Sequence, residues 1–263
     1  MTERFASATP VSGVEHQASP AANFFWRAYC DVLHRHLLRR WLPRGDLDRV
    51  LKTDLYDEAC RTGLLCDLSG PAWIPMGIDI SYGVAQACRR RHRGIHAATA
   101  DVRRLPFRPE SFGMVLSNST LDHFADSIDI EISLHEIHRV LRSGGGLILT
   151  LDNPLNPVVF LRNTLPLSWL RRLRLVPYDL GRTVSRRRLV RCLSNGGFKV
   201  VHMEALMHCP RLAAVALGGW LSKRCRRGWQ ERYIRSTLRF EALSRLPTRF
   251  LTGYFLAVSA VKI

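Results

Sequence analysis

Short apolar runs alternate with helical segments between residues 49 and 153 of the sequence. The apolar runs are RVLKTDL, MGIDIS, IHAATAD, GMVLSNS and GLILTLDN. Between the last two, DIEISLHEIHRVLR places Ile130, Leu134, Ile137 and Leu141 on one helical face, and we expect the glycines at 144–146 to end this helix before the next strand. Such alternation predicts βαβ units and a buried parallel sheet.

The chain changes character on either side of this region. After TLDNPLNP come two basic segments, 154–183 and 207–249, separated by a predicted helix in SRRRLVRCLSNGG and a strand in FKVVHMEAL; GYFLAVSAVKI predicts a last strand. At the other end, helical spacing predicts an amphipathic helix over 23–45. Residues 1–22 are rich in Ala, Ser and Pro and are expected to form a disordered leader. We therefore expect a single domain over 23–263.

Composition excludes several classes of protein. No stretch reaches the roughly 20 apolar residues needed to cross a bilayer. The 7 cysteines are an odd number without a CxxC pair, which argues against a disulfide framework and a zinc site and favours the reducing cytoplasm. The net charge of +17 comes mainly from residues 161–250, which hold 20 Lys and Arg against 4 Asp and Glu. This excess is consistent with an anionic partner or membrane surface, or with solvated helix faces alone.

Every predicted strand up to residue 153 ends in polar residues. Carboxyl ends of parallel strands share one edge, where ligands bind in open α/β sheets. Helix N-capping explains any one of these residues, but five polar ends at one edge favour a ligand between them. The residues are Asp54, Asp79 and Ser81, Asp101, Asn118 and Ser119, and Asp152 and Asn153.

Three segments carry a resemblance to a known family. GIDIS, ADVRRLPFRPESFGMVLSNSTLDHF and EIHRVLRSGGGLILTLDNP resemble class I S-adenosylmethionine-dependent methyltransferases of the type 11 kind. The resemblance implies a doubly wound, Rossmann-like, mostly parallel sheet of seven strands, with the last strand antiparallel and helical insertions after strands five and six. It also implies S-adenosyl-L-methionine as cofactor, with Asp79 holding the ribose hydroxyls and Asp101 the adenine amino group. Ile80, Val102 and Asn118 are assigned to the same site.

The first loop departs from the family's glycine-rich D/E-x-G-x-G-x-G, which lets the backbone approach the methionine moiety. This chain has KTDLYDEACRTG, residues 52–63. Either the loop is degenerate, or side chains replace the glycines, with Asp54 accepting from the methionine ammonium. Lys52 stands at another plausible equivalent of the family's acidic position. The chain also resembles a bacterial branch of methyltransferase-like proteins that share LKTDLFDEA, SNSTLDHF and TLDNPxNP, which favours the second interpretation.

The expected activity is methyl transfer by in-line displacement to a small-molecule acceptor, including a lipid-linked or anionic one. For a hydroxyl acceptor, Asp122 and His123 are candidate bases; a structural hydrogen bond is the alternative for His123. Asn118, Asp152, Asn153 and Asn156 either orient the acceptor or form caps and turns. We expect a cytoplasmic protein that can contact the inner membrane surface, without metal or nucleic acid. A noncatalytic binding module and a nicotinamide-dependent oxidoreductase are the alternatives; the absence of G-x-G-x-x-G disfavours the latter.

Overall fold

A computed structural model describes residues 20–42, 49–61, 63–68, 73–124, 126–165, 183–224 and 229–263. Its centre is a seven-stranded sheet in the order β3-β2-β1-β4-β5-β7-β6. The strands are β1 (Arg49–Lys52), β2 (Ile74–Asp79), β3 (His96–Thr99), β4 (Phe112–Asn118), β5 (Leu141–Asp152), β6 (Phe198–Leu206) and β7 (Phe255–Lys262). Strands β1 to β5 pair in parallel, and β7 lies antiparallel between β5 and β6. The predicted fold class is confirmed.

Helices cover both faces of this sheet. They are α1 (Pro20–Trp41), α2 (Tyr56–Cys60), α3 (Leu64–Asp67), α4 (Tyr82–Arg91), α5 (Ser127–Val140), α6 (Pro157–Thr164), α7 (Arg186–Asn195), α8 (Arg211–Arg224), α9 (Trp229–Leu238) and α10 (Arg249–Thr252), with 3₁₀ turns at Leu121–His123 and Arg239–Arg245. Among the described residues, every helix falls short of a membrane span in its length or its apolar character.

The period-2 geometry of the strands divides the core into two layers. In β5, Leu147 and Leu149 join a buried cluster with α5 and α7, whereas Ile148 faces a second cluster built with α1 and α4. Both faces of the strand are therefore buried, which is why these strands read as continuous apolar runs rather than alternating ones.

Some predicted boundaries shift. Helix α5 ends at Val140 and β5 begins at Leu141, so the glycines at 144–146 lie within the strand and not before it. Gly144 has φ 72°, and the register between β4 and β5 shifts along this stretch, which lets the chain pass from helix to strand without a separate loop. Helix α1 begins at Pro20 rather than 23. Residues 1–19 of the predicted leader and 43–45 of the predicted helix fall outside the described ranges.

The predicted basic insertions fall after β5 and β6. The first contains α6, with residues 166–182 outside the described part, and the second contains α8, α9 and α10. Both begin at the edge of the sheet where β1 to β5 end, so they border the candidate site.

Candidate functional site

After each of the neighbouring strands β1, β2 and β3, an aspartate stabilises the turn that leads away from the sheet. Each carboxylate accepts the backbone N–H two residues further on, an Asx turn. The pairs are Asp54 with Tyr56 at 3.1 Å, Asp79 with Ser81 at 2.8 Å and Asp101 with Arg103 at 2.9 Å. Helix N-capping does not account for Asp54 and Asp79, because Leu55 and Ser81 hold the N-cap positions of α2 and α4; each Asx turn occupies one oxygen of its carboxylate. A carboxylate offers about four lone-pair sites, so further acceptor capacity remains.

Asp79 joins the ends of β1 and β2. Its Oδ2 accepts the N–H of Leu55 at 3.0 Å, while Oδ1 accepts that of Ser81. Burial raises the pKa of Asp79 above its ordinary value, whereas the two backbone hydrogen bonds act in the opposite direction. The residue after it, Ile80, is 56% exposed, and Tyr82 is also exposed. The strand therefore ends in a fixed carboxylate beside an apolar side chain open to a ligand.

Asp101 is held by an arginine. Arg103 Nη2 lies 2.6 Å from Asp101 Oδ2, and Arg103 Nη1 lies 3.2 Å from Asp129 Oδ1. Burial would raise the pKa of Asp101, but the hydrogen bonds from Arg103 hold it below its ordinary value. Val102 is buried in the core. Of the two residues assigned here by resemblance, Asp101 thus carries its own counter-ion and Val102 packs inward.

The atypical first loop is organised by Lys52, the last residue of β1. Its side chain is 1% exposed, and its Nζ lies 2.9 Å from Glu58 Oε2, 3.1 Å from Asp54 Oδ2 and 2.7 Å from the Asp54 carbonyl oxygen. Burial alone would lower the pKa of Lys52, but Asp54 and Glu58 raise it, so the ammonium stays charged. Glu58 is fully buried and also accepts the N–H of Leu65 at 3.1 Å. A buried ion pair therefore fixes the loop.

The glycines near this loop make room for the protein's own side chains. A Cβ on Gly77 would lie 2.3 Å from Leu55 Cδ2, and one on Gly63 would lie 2.2 Å from Glu58 Cδ. Leu55 is fully buried. In this chain, the side chains of Leu55 and Glu58 occupy the space that a Cβ on Gly77 or Gly63 would need.

Helix α1 lies against the same loop through ion pairs. Arg27 Nη1 is 3.1 Å from Asp57 Oδ1, and Arg61 bridges Asp57 at 2.8 Å and Asp31 at 2.7 Å. The guanidinium of Arg27 also lies over the ring of Tyr56, 4.6 Å from its centroid. The loop is thus clamped from inside by Lys52 and from outside by α1.

Between the ends of β1 and β4 lies a group of hydroxyls. Thr53 Oγ1 donates to Ser117 Oγ at 3.0 Å and lies 2.9 Å from Thr120 Oγ1. Next to Ser117, Asn118 has a buried Oδ1 for which the described residues supply no hydrogen-bond donor. An unpaired buried acceptor is costly, so this oxygen is suited to a ligand donor.

Asp122, predicted as a candidate base, lies in the 3₁₀ turn Leu121–His123, beside Asp152 at the end of β5 and near the buried Arg162. Asp122 Oδ2 accepts the N–H of Asp152 at 3.2 Å, and Asp152 Oδ2 lies 2.5 Å from Arg162 Nη1. Burial, and then the nearby Asp152 carboxylate, raise the pKa of Asp122 well above its usual range. Its Oδ1 is buried and has no donor among the described residues. His123 closes the same 3₁₀ turn, and its side chain lies outside the described part.

The two asparagines of TLDNPLNP are structural in this fold. Asn153 Nδ2 donates to the carbonyl oxygens of Phe250 at 2.7 Å and Gly253 at 2.8 Å. Asn156 Nδ2 donates to the carbonyl oxygen of Thr252 at 2.9 Å, and its Oδ1 caps α6. Their amides tie the end of β5 to α10 and the start of β7, which favours the cap and turn alternative.

Comparison with known proteins agrees with this architecture. A family model described as a methyltransferase domain matches residues 57–149. A methyltransferase from Mesorhizobium loti superposes with a TM-score of 0.55 at 21% identity, covering 86% of this chain and 96% of that chain. The fold is that of a class I S-adenosylmethionine-dependent methyltransferase.

Two further solved methyltransferases have the same fold. One from Methanosarcina mazei gives a TM-score of 0.57 at 14% identity over 86% of this chain and 97% of that chain. The geranyl diphosphate C-methyltransferase of Streptomyces coelicolor A3(2), solved with S-adenosyl-L-homocysteine, gives 0.60 at 14% identity over 95% and 90%. No curated protein matches the sequence.

The residues at the carboxyl ends of β1 to β5 have groups with the chemistry to hold S-adenosyl-L-methionine. Asp79 presents a carboxylate fixed by two backbone N–H groups, Ile80 presents an exposed apolar side chain, and the buried Oδ1 of Asn118 has no donor among the described residues. The buried Lys52–Glu58 pair and the clamped α1 are features that the sequence analysis missed. Lys52 at the end of an apolar strand was the available signal, since a lysine there is buried only when it is paired.

Proposed function

We propose that the protein transfers the methyl group of S-adenosyl-L-methionine to a small-molecule acceptor by in-line displacement. The observation that carries the proposal is the Asp79 carboxylate, which two backbone N–H groups aim at the ligand edge of the sheet. Two ribose hydroxyls donating to its remaining lone pairs would form charge-assisted hydrogen bonds of about 1.5–3 kcal/mol each.

The chain's own residues chiefly bind and orient. S-adenosyl-L-methionine supplies a methyl group on a sulfonium, which needs no covalent intermediate with the protein. Asn118 Oδ1 and the outer lone pairs of Asp54 are proposed to accept from the methionine ammonium, while Asp101 and the exposed Ile80 bind the adenine. Buried Leu55 and Leu121 keep water away from the edge.

Asp122 is the proposed base for a hydroxyl acceptor. Its carboxylate takes the acceptor proton at Oδ1 as the acceptor oxygen bonds to the methyl carbon. A raised pKa makes this carboxylate a stronger base than an ordinary aspartate. Arg162, paired with Asp152, limits the repulsion between the two acids. His123 remains a second candidate.

The acceptor is proposed to be anionic or lipid-linked. The segments bordering the site are arginine-rich, and several large apolar side chains there are exposed, including Phe160 at 58%. The geranyl diphosphate methyltransferase of similar fold acts on an amphipathic anion. We place the protein in the cytoplasm, with contact to the inner membrane surface when the acceptor is a lipid.

Isothermal titration calorimetry with S-adenosyl-L-homocysteine tests the proposal. Wild type should bind it, and Asp79→Asn should weaken binding by about 10- to 100-fold, because one charge-assisted acceptor is lost. Asp126→Asn, at an exposed helix cap, is the matched control and should bind like wild type. Unfolding of each variant in urea checks that the fold persists.

Three outcomes contradict the proposal. Equal affinity of wild type and Asp79→Asn removes Asp79 from the site. Binding of NAD instead favours an oxidoreductase, and binding of neither ligand by the folded wild type favours the noncatalytic module.

A further inference from the structure

Two arginines share one phenylalanine beside the candidate acceptor site. The guanidinium carbons of Arg186, the first residue of α7, and Arg249, the first of α10, lie 4.5 and 5.2 Å from the ring centroid of Phe250. Both arginines are exposed. The ring therefore fixes two flexible cationic side chains in one place by cation–π contact. We call Arg186, Phe250 and Arg249 the arginine clip.

The clip lacks a counter-ion within the described ranges. Three arginines elsewhere in the described ranges, Arg61, Arg103 and Arg162, have carboxylate partners. No described carboxylate pairs with Arg186 or Arg249. Because both guanidinium carbons lie close to one centroid, they are at most about 10 Å apart. The two cations are thus available to one multiply charged anion.

The clip is attached to the end of β5. The Phe250 carbonyl oxygen accepts Asn153 Nδ2 at 2.7 Å, and Asn153 directly follows Asp152, which pairs with Arg162. The two guanidinium groups are therefore held at the same edge as Asp122, the proposed base.

Apolar side chains accompany this charge. Leu155, two residues after Asn153, is 51% exposed, and Leu251, next to Phe250, is 50% exposed. Phe160 and Leu161 are exposed on α6, whose cap Asn156 donates to the carbonyl oxygen of Thr252. A cationic clip beside open apolar surface is complementary to a molecule with an anionic head and an apolar tail.

We infer that the arginine clip binds the phosphate group of an amphipathic acceptor, whose apolar part lies against Leu155, Phe160 and Leu251. The inference rests on the proposed methyl transfer and names its substrate class. Phosphate suits the clip because a guanidinium donates two parallel hydrogen bonds to phosphate oxygens, and two guanidinium groups match its double charge. The phosphate can belong to a soluble ester or to a membrane lipid.

The test measures phosphate binding and cofactor binding in the same variants. Inorganic pyrophosphate is titrated by calorimetry into wild type, Arg186→Ala, Arg249→Ala and the double variant. Sedimentation with phosphatidylcholine vesicles, with and without phosphatidic acid, forms the second arm. Arg187→Ala removes an exposed charge from the same helix but not from the ring, and is the matched control. Phe250→Leu removes the aromatic platform while keeping apolar bulk.

Each single variant should lose about tenfold in pyrophosphate or vesicle affinity, and the double variant about 100-fold, because each guanidinium contributes charge-assisted hydrogen bonds. Phe250→Leu should lose less, and Arg187→Ala should bind like wild type. Binding of S-adenosyl-L-homocysteine should be unchanged in all of them. Loss in the pyrophosphate arm alone identifies a soluble phosphate ester, and loss in the phosphatidic acid arm identifies a lipid headgroup.

Equal binding by wild type and the double variant in both arms overturns the inference, as does a wild type that binds neither probe. An equal loss in Arg187→Ala and Arg186→Ala also overturns it, because it would show a general charge effect. Failure of wild type to bind S-adenosyl-L-homocysteine would instead overturn the proposed methyl transfer, so the two failures are distinct.

Discussion

Replacing Lys52 alone should destabilise the protein far more than replacing Lys52 and Glu58 together. Lys52→Met leaves Glu58 fully buried without its cation, retaining only the hydrogen bond from Leu65. Removing one member of a buried ion pair costs about 3–5 kcal/mol, whereas replacing both by apolar residues is often nearly neutral. Lys52→Met should therefore lower the free energy of unfolding by about 3–5 kcal/mol, and Lys52→Met with Glu58→Met by about 1 kcal/mol or less.

Urea unfolding followed by circular dichroism measures these free energies in a double-mutant cycle. Lys52→Met alone should therefore lose about 2–4 kcal/mol more than the double variant, and the coupling between positions 52 and 58 should exceed this difference by the loss in Glu58→Met alone. Lys199→Met, on an exposed position of β6, is the control and should change stability by no more than about 0.5 kcal/mol. A single-variant loss below about 1 kcal/mol, or strictly additive losses, would show that the pair does not hold the loop. Retained binding of S-adenosyl-L-homocysteine by the double variant would mean that Lys52 shapes the loop without contacting the cofactor.

Three further expectations follow from the packing. Gly77→Ala should lower the free energy of unfolding in urea by about 1–3 kcal/mol, because the added Cβ would overlap Leu55. Gly94→Ala, with open space around it, is the control and should lower it much less. Equal losses in the two variants would contradict the overlap. Arg162→Met should cost about 3–5 kcal/mol by leaving Asp152 and Asp122 buried without their cation, and adding Asp152→Asn should restore part of it; no restoration would contradict the pairing. Burial lowers the pKa of His34 to about 4, so on acidification the unfolded chain binds a proton at a higher pH than the folded chain does. About 3 kcal/mol of stability, fully present above about pH 6.5, should therefore be lost as the pH falls from about 6.5 to 4. His34→Leu should remove this part of the slope and exposed His36→Leu should not; an unchanged slope in His34→Leu would contradict the assignment.

Local pattern was sufficient for most of the sheet. The segment FKVVHMEAL coincides with β6, Phe198–Leu206, and the apolar face at Ile130, Leu134 and Ile137 is the buried face of α5. The pattern failed at Gly144, where a glycine that usually stops a helix instead gives the strand a left-handed residue at a register shift. Glycine supplies the same backbone freedom in both settings, so only the pairing with β4 separates them.

The sequence was enough to locate a site residue where its position depends on a single strand. Asp79 could be placed from its position after MGI. The role of Asn153 could not, because its partner Phe250 is 97 residues away in sequence. The raised pKa of Asp122, caused by burial and then by the Asp152 carboxylate, and the pairing of Asp152 with Arg162 likewise depend on contacts between separate elements. Contacts between distant elements leave little trace in local spacing.

The position of β7 sets an order for assembly. β6 occupies the edge of the sheet and pairs with β7, which comes later in the chain than both β5 and β6. During synthesis, β6 and α7 are therefore made before β7. Until β7 pairs between β5 and β6, the sheet ends at β5 and β6 has no partner strand. Such late, long-range pairing slows folding, and it leaves the edges of β5 and β6 open to pairing with other chains until β7 is in place.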